Sequence, residues 1–369
     1  MVNSESKVRV NLAERSYDIA IGNGNRHQLA EFLSSRTKHD HAVIITDENV
    51  DQLYADTIAD SLTDAGWEVQ VLIVEPGETS KCIGEAENLW ETMLNEGADR
   101  HSIVLAIGGG VVGDLAGFVA ATFTRGLDFF QVPTTLLAQV DSSVGGKTGV
   151  NLPGGKNMVG CFWQPLGVLI DVEVLTTLPD REYRAGLAEV VKYGVILDEP
   201  FFAYLEDNAE AINAKDPAVL AEIVRRSCEL KAKVVEADEL EAVDMDVPLT
   251  RAILNYGHTF AHAFEAITGY GEMLHGEAVA AGMRCAARLA EKQCRVDEQF
   301  VQRQDLLLAT LGLSFAPPEA DPEDLLHLMS RDKKSDGGQI RFILPTKMGH
   351  VELVDDFKSE DVIASFKFE

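Results

Sequence analysis

The sequence predicts an α/β chain, with helices layered on a parallel sheet in its N-terminal half and a mainly α-helical C-terminal half. Three observations carry this prediction. Short apolar runs rich in β-branched residues recur in the first half, each followed by a polar turn and an amphipathic stretch. That alternation belongs to parallel α/β sheets. From Arg181 onward the pattern lengthens to helical periodicity. Within the first half, a cluster of glycines joins one of the early runs to a helical segment.

In chain order, residues 43–46 (VIIT), 69–74 (VQVLIV) and 103–107 (IVLAI) are the predicted early strands. Residues 168–171 form a late strand, and Leu178-Pro179 follows as a boundary. Long helices are predicted over 182–197, 218–237, 251–267 and 276–293, and a small hairpin over 340–344 and 350–354. The expected domains are therefore 1–179 and 180–369, with the active site in the cleft between them, where ligands favour binding. Neither an internal repeat nor a low-complexity tract interrupts this plan.

The chain has 369 residues, ample for a substantial core, and a soluble protein's 46% hydrophobic and 25% charged residues. Its net charge of −28 argues against nucleic acid as a partner and disfavours anionic membranes, because phosphates need a basic surface. No apolar stretch reaches the ~18 residues of a membrane-spanning helix, and residues 1–9 lack a signal peptide's apolar core. A cytoplasmic location is expected. Five cysteines, Cys82, Cys161, Cys228, Cys285 and Cys294, show no C-x-x-C pair, so they read as reduced structural thiols.

Residues 108–114, GGGVVGD, follow the IVLAI run and open a helical one. They contain G-x-G-x-x-G in the strand-before, helix-after setting of a dinucleotide site, where the helix N-terminus can meet a pyrophosphate. The N-terminal domain is thus expected to be Rossmann-like. The loop follows roughly the third strand instead of the first, so the topology is that of a relative and not a copy.

Three stretches of the helical half carry metal-binding residue types. GLAEVVKYG (186–194) sets Glu189 and Lys192 at i and i+3, which share a helix face. LNYGHTFAHAFE (254–265) sets His258 and His262 at i and i+4, and His275-Gly276-Glu277 opens another helix. The H-x-x-x-H spacing matches zinc proteases, but Thr259 stands where their general-base Glu belongs, which argues against that chemistry. A third ligand could come from His275 or from Glu189. Late in the first domain, DSSVGGKTGVNLPGGKN (141–157) has too many glycines for a helix or strand and reads as a functional loop. It presents Lys147 and Lys156, side chains suited to phosphate.

Taken together, PGE..K from Pro76, GGGVVGD, QVPTTLLAQVDSSVGGKTGVN, GKN, GLAEVVKYG, LNYGHTFAHAFE, HGEAVAAGM and RDKK resemble the 3-dehydroquinate synthase family. They run in family order from Asp47 to Lys334, over most of the chain. The resemblance implies a zinc or cobalt ion on Glu189, His258 and His275, with His262 near the substrate and not a ligand. It implies NAD contacts at Asp47, Asn49, Glu78, Lys81, Gly109, Gly110, Asp114, Thr134, Thr135, Asp141, Lys156 and Thr177. It implies substrate contacts at Arg125, Lys147, Asn157, Lys192, Lys231, Arg251, Asn255, His262 and the Lys333-Lys334 pair, Lys334 foremost. A homodimer is also expected. One departure stands out: Asp238 to Arg251 (DELEAVDMDVPLTR) is longer than the family's stretch and lacks its glycine.

The implied substrate is 3-deoxy-D-arabino-heptulosonate 7-phosphate, a phosphorylated sugar acid. The implied course is transient oxidation of its C5 hydroxyl by NAD, β-elimination of phosphate, return of the hydride, ring opening and aldol closure to 3-dehydroquinate. Rival readings are a sister sugar phosphate cyclase, or a metal-dependent polyol dehydrogenase similar to glycerol dehydrogenase.

Overall fold

The computed structural model describes residues 6–241, 249–269, 272–332 and 340–368. Nine strands precede residue 172: β1 (Ser6–Val10), β2 (Tyr17–Gly22), β3 (His41–Asp47), β4 (Glu68–Val74), β5 (Ser102–Gly108), β6 (Asp128–Pro133), β7 (Lys147–Leu152), β8 (Gly155–Phe162) and β9 (Gly167–Asp171). Seven of them form one sheet in the order β1-β2-β9-β6-β5-β3-β4. β1 pairs antiparallel with β2, and the remaining neighbours are parallel.

The central strands are apolar throughout because both their faces are covered. In β3, Val43 and Ile45 pack with Leu89 and Leu115 on one side, while Ala42 and Ile44 pack with Phe32 and Leu62 on the other. β5 divides likewise, with Val104 and Ala106 on the first face and Ile103, Leu105 and Ile107 on the second. β1 and β2 precede the three predicted early strands, so the glycine loop follows the fifth strand in chain order and not the third. β1 reads SKVRV and alternates exposed with buried positions, so it has no apolar run to detect.

The expected irregular loop over 141–157 also differs, because from Lys147 onward it enters an antiparallel hairpin of β7 and β8. Its glycines are what permit the pairing. A Cβ on Gly149 would lie 2.6 Å from the Val159 carbonyl oxygen, and one on Gly160 would lie 2.2 Å from that of Thr148. The strands could not approach so closely with side chains there.

The chain divides into two compact units, Met1–Leu178 with Leu220–Leu240, and Pro179–Val219 with Glu241–Glu369. The sequence reading set one boundary, at 179/180; in the structure the chain returns to the first unit for residues 220–240. Most of helix Pro217–Ala237 therefore packs with the sheet unit, where Cys228 Sγ donates to the Gln139 carbonyl at 3.3 Å. Helical periodicity reveals that a face is buried, but not against which partner.

The second unit holds helices Asp180–Leu197, His258–Ile267, His275–Lys292 and Glu298–Thr310, with a hairpin of β10 (Phe342–Lys347) and β11 (His350–Val354). The helix expected over 251–267 is broken. A 3₁₀ turn, Arg251–Asn255, gives way at Gly257, whose φ of 80° is left-handed, to the helix that starts at His258. Among the described residues, no helix is long and apolar enough to cross a membrane.

Candidate active site

In the first unit, most of the expected NAD-contact residues stand near the carboxyl ends of parallel strands, where open α/β sheets bind ligands. Asp47 closes β3 and caps the following turn, its carboxylate accepting from the N–H groups of Asn49 (2.9 Å) and Val50 (3.1 Å). After β5, Gly109 is the N-cap of helix Gly110–Thr122, so the helix begins with main-chain N–H groups unclaimed by its own turns. Such an end attracts phosphate. Beyond β6, Thr134 donates its N–H to the Gly108 carbonyl at 2.9 Å, and the Thr135 hydroxyl accepts from Ala138 at 3.1 Å. Past β9, the Thr177 hydroxyl lies 2.6 Å from that of Tyr54.

Lys81 ties this region together. It is 4% exposed, and its Nζ lies 2.5 Å from both Asp114 Oδ2 and Asn157 Oδ1. Burial pushes the Asp114 carboxyl above the usual carboxylate range, and the Lys81 ammonium only partly offsets it. Lys81 and Asp114 are expected NAD contacts and Asn157 an expected substrate contact, yet the structure bonds the three. Asn157 holds a left-handed φ of 56°, and its N–H donates to Asn151 Oδ1 at 2.8 Å. Asn151 donates in turn to Glu78 Oε1 at 2.8 Å. A second pair joins Lys231 to Asp141, with Nζ at 2.7 Å from Oδ1 and 2.8 Å from the carbonyl. Lys147 opens β7 exposed to solvent, Lys156 is half-buried in β8, and Arg125 ends a 3₁₀ turn with φ 74°.

In the second unit Glu189, His258 and His275 stand together, their ligand-type atoms all within 4.8 Å of one another. Glu189 is 1% exposed, midway along helix Asp180–Leu197. Its Oε1 faces His258 Nε2 at 3.6 Å and His275 Nε2 at 3.9 Å, and the Lys192 ammonium lies against its Oε2. Neither carboxylate oxygen accepts a hydrogen bond of ordinary geometry. A buried carboxylate so placed is costly unless charge or coordination compensates it. His258 Nδ1 lies 3.1 Å from the Tyr256 carbonyl, which can only accept, so the proton sits on Nδ1 and Nε2 presents its lone pair. Burial, followed by the Lys192 charge, holds the His258 imidazole well below its ordinary pKa and therefore neutral. These residues fit a divalent ion: two imidazoles and one carboxylate, an N/O set, with both imidazoles aimed at one carboxylate.

Backbone contacts seat the cluster. His275 begins its helix, and the next residue is Gly276, where a Cβ would fall 1.9 Å from the Ala185 carbonyl oxygen. Only glycine lets this helix end come so near the Glu189 helix. Glu277 then accepts from the Leu274 N–H at 2.9 Å and from Arg181 at 2.6 and 2.8 Å, while Arg181 also donates to the Glu272 carbonyl at 2.7 Å. His262, one turn beyond His258, meets it edge to face at 5.8 Å between ring centroids but is not among the clustered donors. Arg251 is 2% exposed at the start of the 3₁₀ turn that Asn255 ends. Lys333 and Lys334 lie outside the described residues.

Of the expected substrate contacts, Arg125, Lys147, Asn157 and Lys231 belong to the first unit, and Lys192, Arg251, Asn255 and His262 to the second. The sequence reading missed Glu265, whose Oε2 lies 3.6 Å from His275 Nδ1. It also missed Arg181. Glu265 carried a signal, since it follows His258 by seven residues and so shares its helix face.

The family model described as 3-dehydroquinate synthase N-terminal matches residues 71–185, and that described as 3-dehydroquinate synthase C-terminal matches 186–335. A 3-dehydroquinate synthase of Rhodopirellula baltica is 50% identical, over 99% of this chain and 98% of its own. A solved 2-deoxy-scyllo-inosose synthase, complexed with carbaglucose-6-phosphate, NAD+ and Co2+, superposes with a TM-score of 0.88 at 28% identity, over 98% of this chain and 99% of its own. The 2-epi-5-epi-valiolone synthase of Streptomyces hygroscopicus subsp. jinggangensis, with NAD+ and Zn2+ bound, gives a TM-score of 0.85 at 26% identity, over 96% and 97%.

Proposed function

This chain belongs to the 3-dehydroquinate synthase family, and from that premise we propose that it converts 3-deoxy-D-arabino-heptulosonate 7-phosphate into 3-dehydroquinate and phosphate, as a phosphate-eliminating lyase. The observation that carries the reading is the Glu189–His258–His275 cluster, with Lys192 against its buried carboxylate. When bound, a zinc or cobalt ion would supply Lewis acidity to a substrate oxygen, and NAD a reversible hydride acceptor.

The chain's own share is positioning and charge stabilisation. The N–H groups that open helix Gly110–Thr122, including that of Gly110, would hold the dinucleotide's pyrophosphate beside Gly109, Thr134 and Thr135. Asp47, Asn49, Glu78, Lys81, Asp114, Asp141, Lys156 and Thr177 would hold the rest of NAD. Arg125, Lys147, Asn157, Lys192, Lys231, Arg251 and Asn255, with Lys334, would meet the substrate's carboxylate, phosphate and hydroxyls. These cations answer how a chain of net charge −28 binds an anion: the positive charge is local. His262, one turn from His258, would move protons at the substrate. A homodimer and a cytoplasmic location belong to the same proposal.

The test is turnover of the heptulosonate phosphate. Phosphate release matched by 3-dehydroquinate, without accumulation of NADH, is expected. Lasting NADH formation from a polyol would replace the reading with that of a dehydrogenase. An inosose or valiolone product would replace it with that of a sister cyclase.

A further inference from the structure

The two imidazoles of the cluster are oriented by different partners. His258 Nδ1 meets the neutral carbonyl of Tyr256 at 3.1 Å, whereas His275 Nδ1 faces the carboxylate of Glu265 at 3.6 Å. Glu265 is 7% exposed and sits in the last turn of helix His258–Ile267. That is a poor place for an anion, since burial strips its water and the helix C-terminus carries partial negative charge. A buried carboxylate at such a position is stabilised by hydrogen-bond donors and positive charge, and the His275 ring is one such group within reach. The separation exceeds a hydrogen bond by a few tenths of an ångström, which a small rotation of either side chain closes.

We propose that Glu265 is a positioning residue for the metal centre: its carboxylate accepts the Nδ1 proton of His275, fixing the tautomer and turning Nε2 toward Glu189. His275 Nε2 already lies 3.9 Å from Glu189 Oε1. A carboxylate behind a ligating imidazole also strengthens it as a donor, so of the two histidines His275 is the one whose hold on the ion is tuned by a side chain. His258, backed by main chain, has a fixed setting. This inference rests on the reading that Glu189, His258 and His275 bind a metal.

The test measures zinc affinity of the metal-free full chain by competition with a chromophoric chelator, apart from any turnover. Glu265→Gln, nearly isosteric and uncharged, is expected to weaken zinc binding about 10-fold, and Glu265→Ala about 100-fold. In a His275→Ala background, Glu265→Gln is expected to change zinc affinity less than twofold, because its route to the metal is gone. Wild-type affinity in Glu265→Gln overturns the proposal. So does an equal loss with and without His275, which would mark a general structural effect. Should Glu265→Ala fail to fold, Glu265→Gln and the double variant decide the matter. Unchanged zinc affinity in His275→Ala alone would instead overturn the metal site itself, a separate result.

Discussion

Around the glycine loop of the first unit, the charged side chains answer one another: Lys81 holds Asp114 and Asn157, and Lys231 holds Asp141. In the second unit the arrangement runs the other way. Glu189, almost wholly buried, has two imidazole nitrogens and one ammonium aimed at it and no ordinary hydrogen bond to either oxygen. The first region is built from strand ends and mutual side-chain pairs, so each member can be lost with a graded effect. The second depends on main-chain approach, because the position of His275 is fixed by Gly276 against Ala185. Side-chain pairs are tolerant, whereas a main-chain contact cannot rotate out of the way.

The sharpest way to break this contrast lies in the second unit. Structural zinc sites bind with roughly 10–16 kcal/mol, so one ligand's share is about 3–4 kcal/mol, on the order of a hundred- to a thousandfold in Kd. His258→Ala is expected to lose metal on that scale. His262→Ala should keep its metal and lose about 10²- to 10⁴-fold in turnover, as a proton-transfer residue would. Metal-to-protein stoichiometry of the two folded variants decides, and equal loss would make the pair joint ligands.

Next in size is Gly276→Ala. Overpacking costs about 1–3 kcal/mol, and a main-chain oxygen at 1.9 Å cannot rotate away, so the upper end applies. Melting should fall by roughly 5–10 °C, together with zinc affinity. Gly154→Ala, where nothing lies within 4 Å of the added carbon, is its counterpart and should stay within about 0.5 kcal/mol of wild type. Similar melting temperatures for the two would remove the backbone argument.

A smaller effect is expected at Lys147. If Lys147 meets the substrate phosphate as proposed, truncation to Ala should cost about 2 kcal/mol, or roughly 30-fold in kcat/KM, with NAD affinity unchanged. Equal loss of NAD affinity would move Lys147 to the cofactor.

The smallest expected effect is Lys81→Met, about 1–2 kcal/mol because Asp114 keeps some contact with water. Removing the ammonium takes away the influence that lowers the Asp114 pKa, which rises further. A folded-state pKa above the unfolded value stabilises the fold at acid pH, and that contribution is lost as pH rises through the folded value. The variant should therefore lose more stability at neutral than at acid pH, as read by denaturant melts across that range. A pH-independent loss would mean that Asp114 is not the group left uncompensated.

The sequence made some of this legible and concealed the rest for physical reasons. β3 and β5 were readable because both faces are covered, which leaves runs such as VIIT and IVLAI without a polar interruption. β7 and much of β8 were hidden because the glycines of 141–157 read as loop, whereas Gly149, with Gly160 opposite it, is what lets two strands meet. At the metal cluster, spacing alone favoured His258 with His262. What brings Glu189 and His275 to His258 is tertiary packing across 86 residues of chain, which no helical period encodes. Glu265 lay on the predicted face at i+7, but a Glu two turns from a His has no distinctive signature until its neighbour is known.

The return of residues 220–240 to the first unit has a consequence for how the protein is made. During synthesis the sheet is complete by Asp171, yet Lys231, the partner of Asp141, is translated only after the opening segment of the second unit has emerged. The N-terminal unit cannot finish folding vectorially. It must wait for the Lys231–Asp141 pair until residues beyond helix Asp180–Leu197 have been translated. Cutting the gene after residue 178 would therefore yield a sheet that lacks one of its own helices, and neither half of such a split would be a natural folding unit.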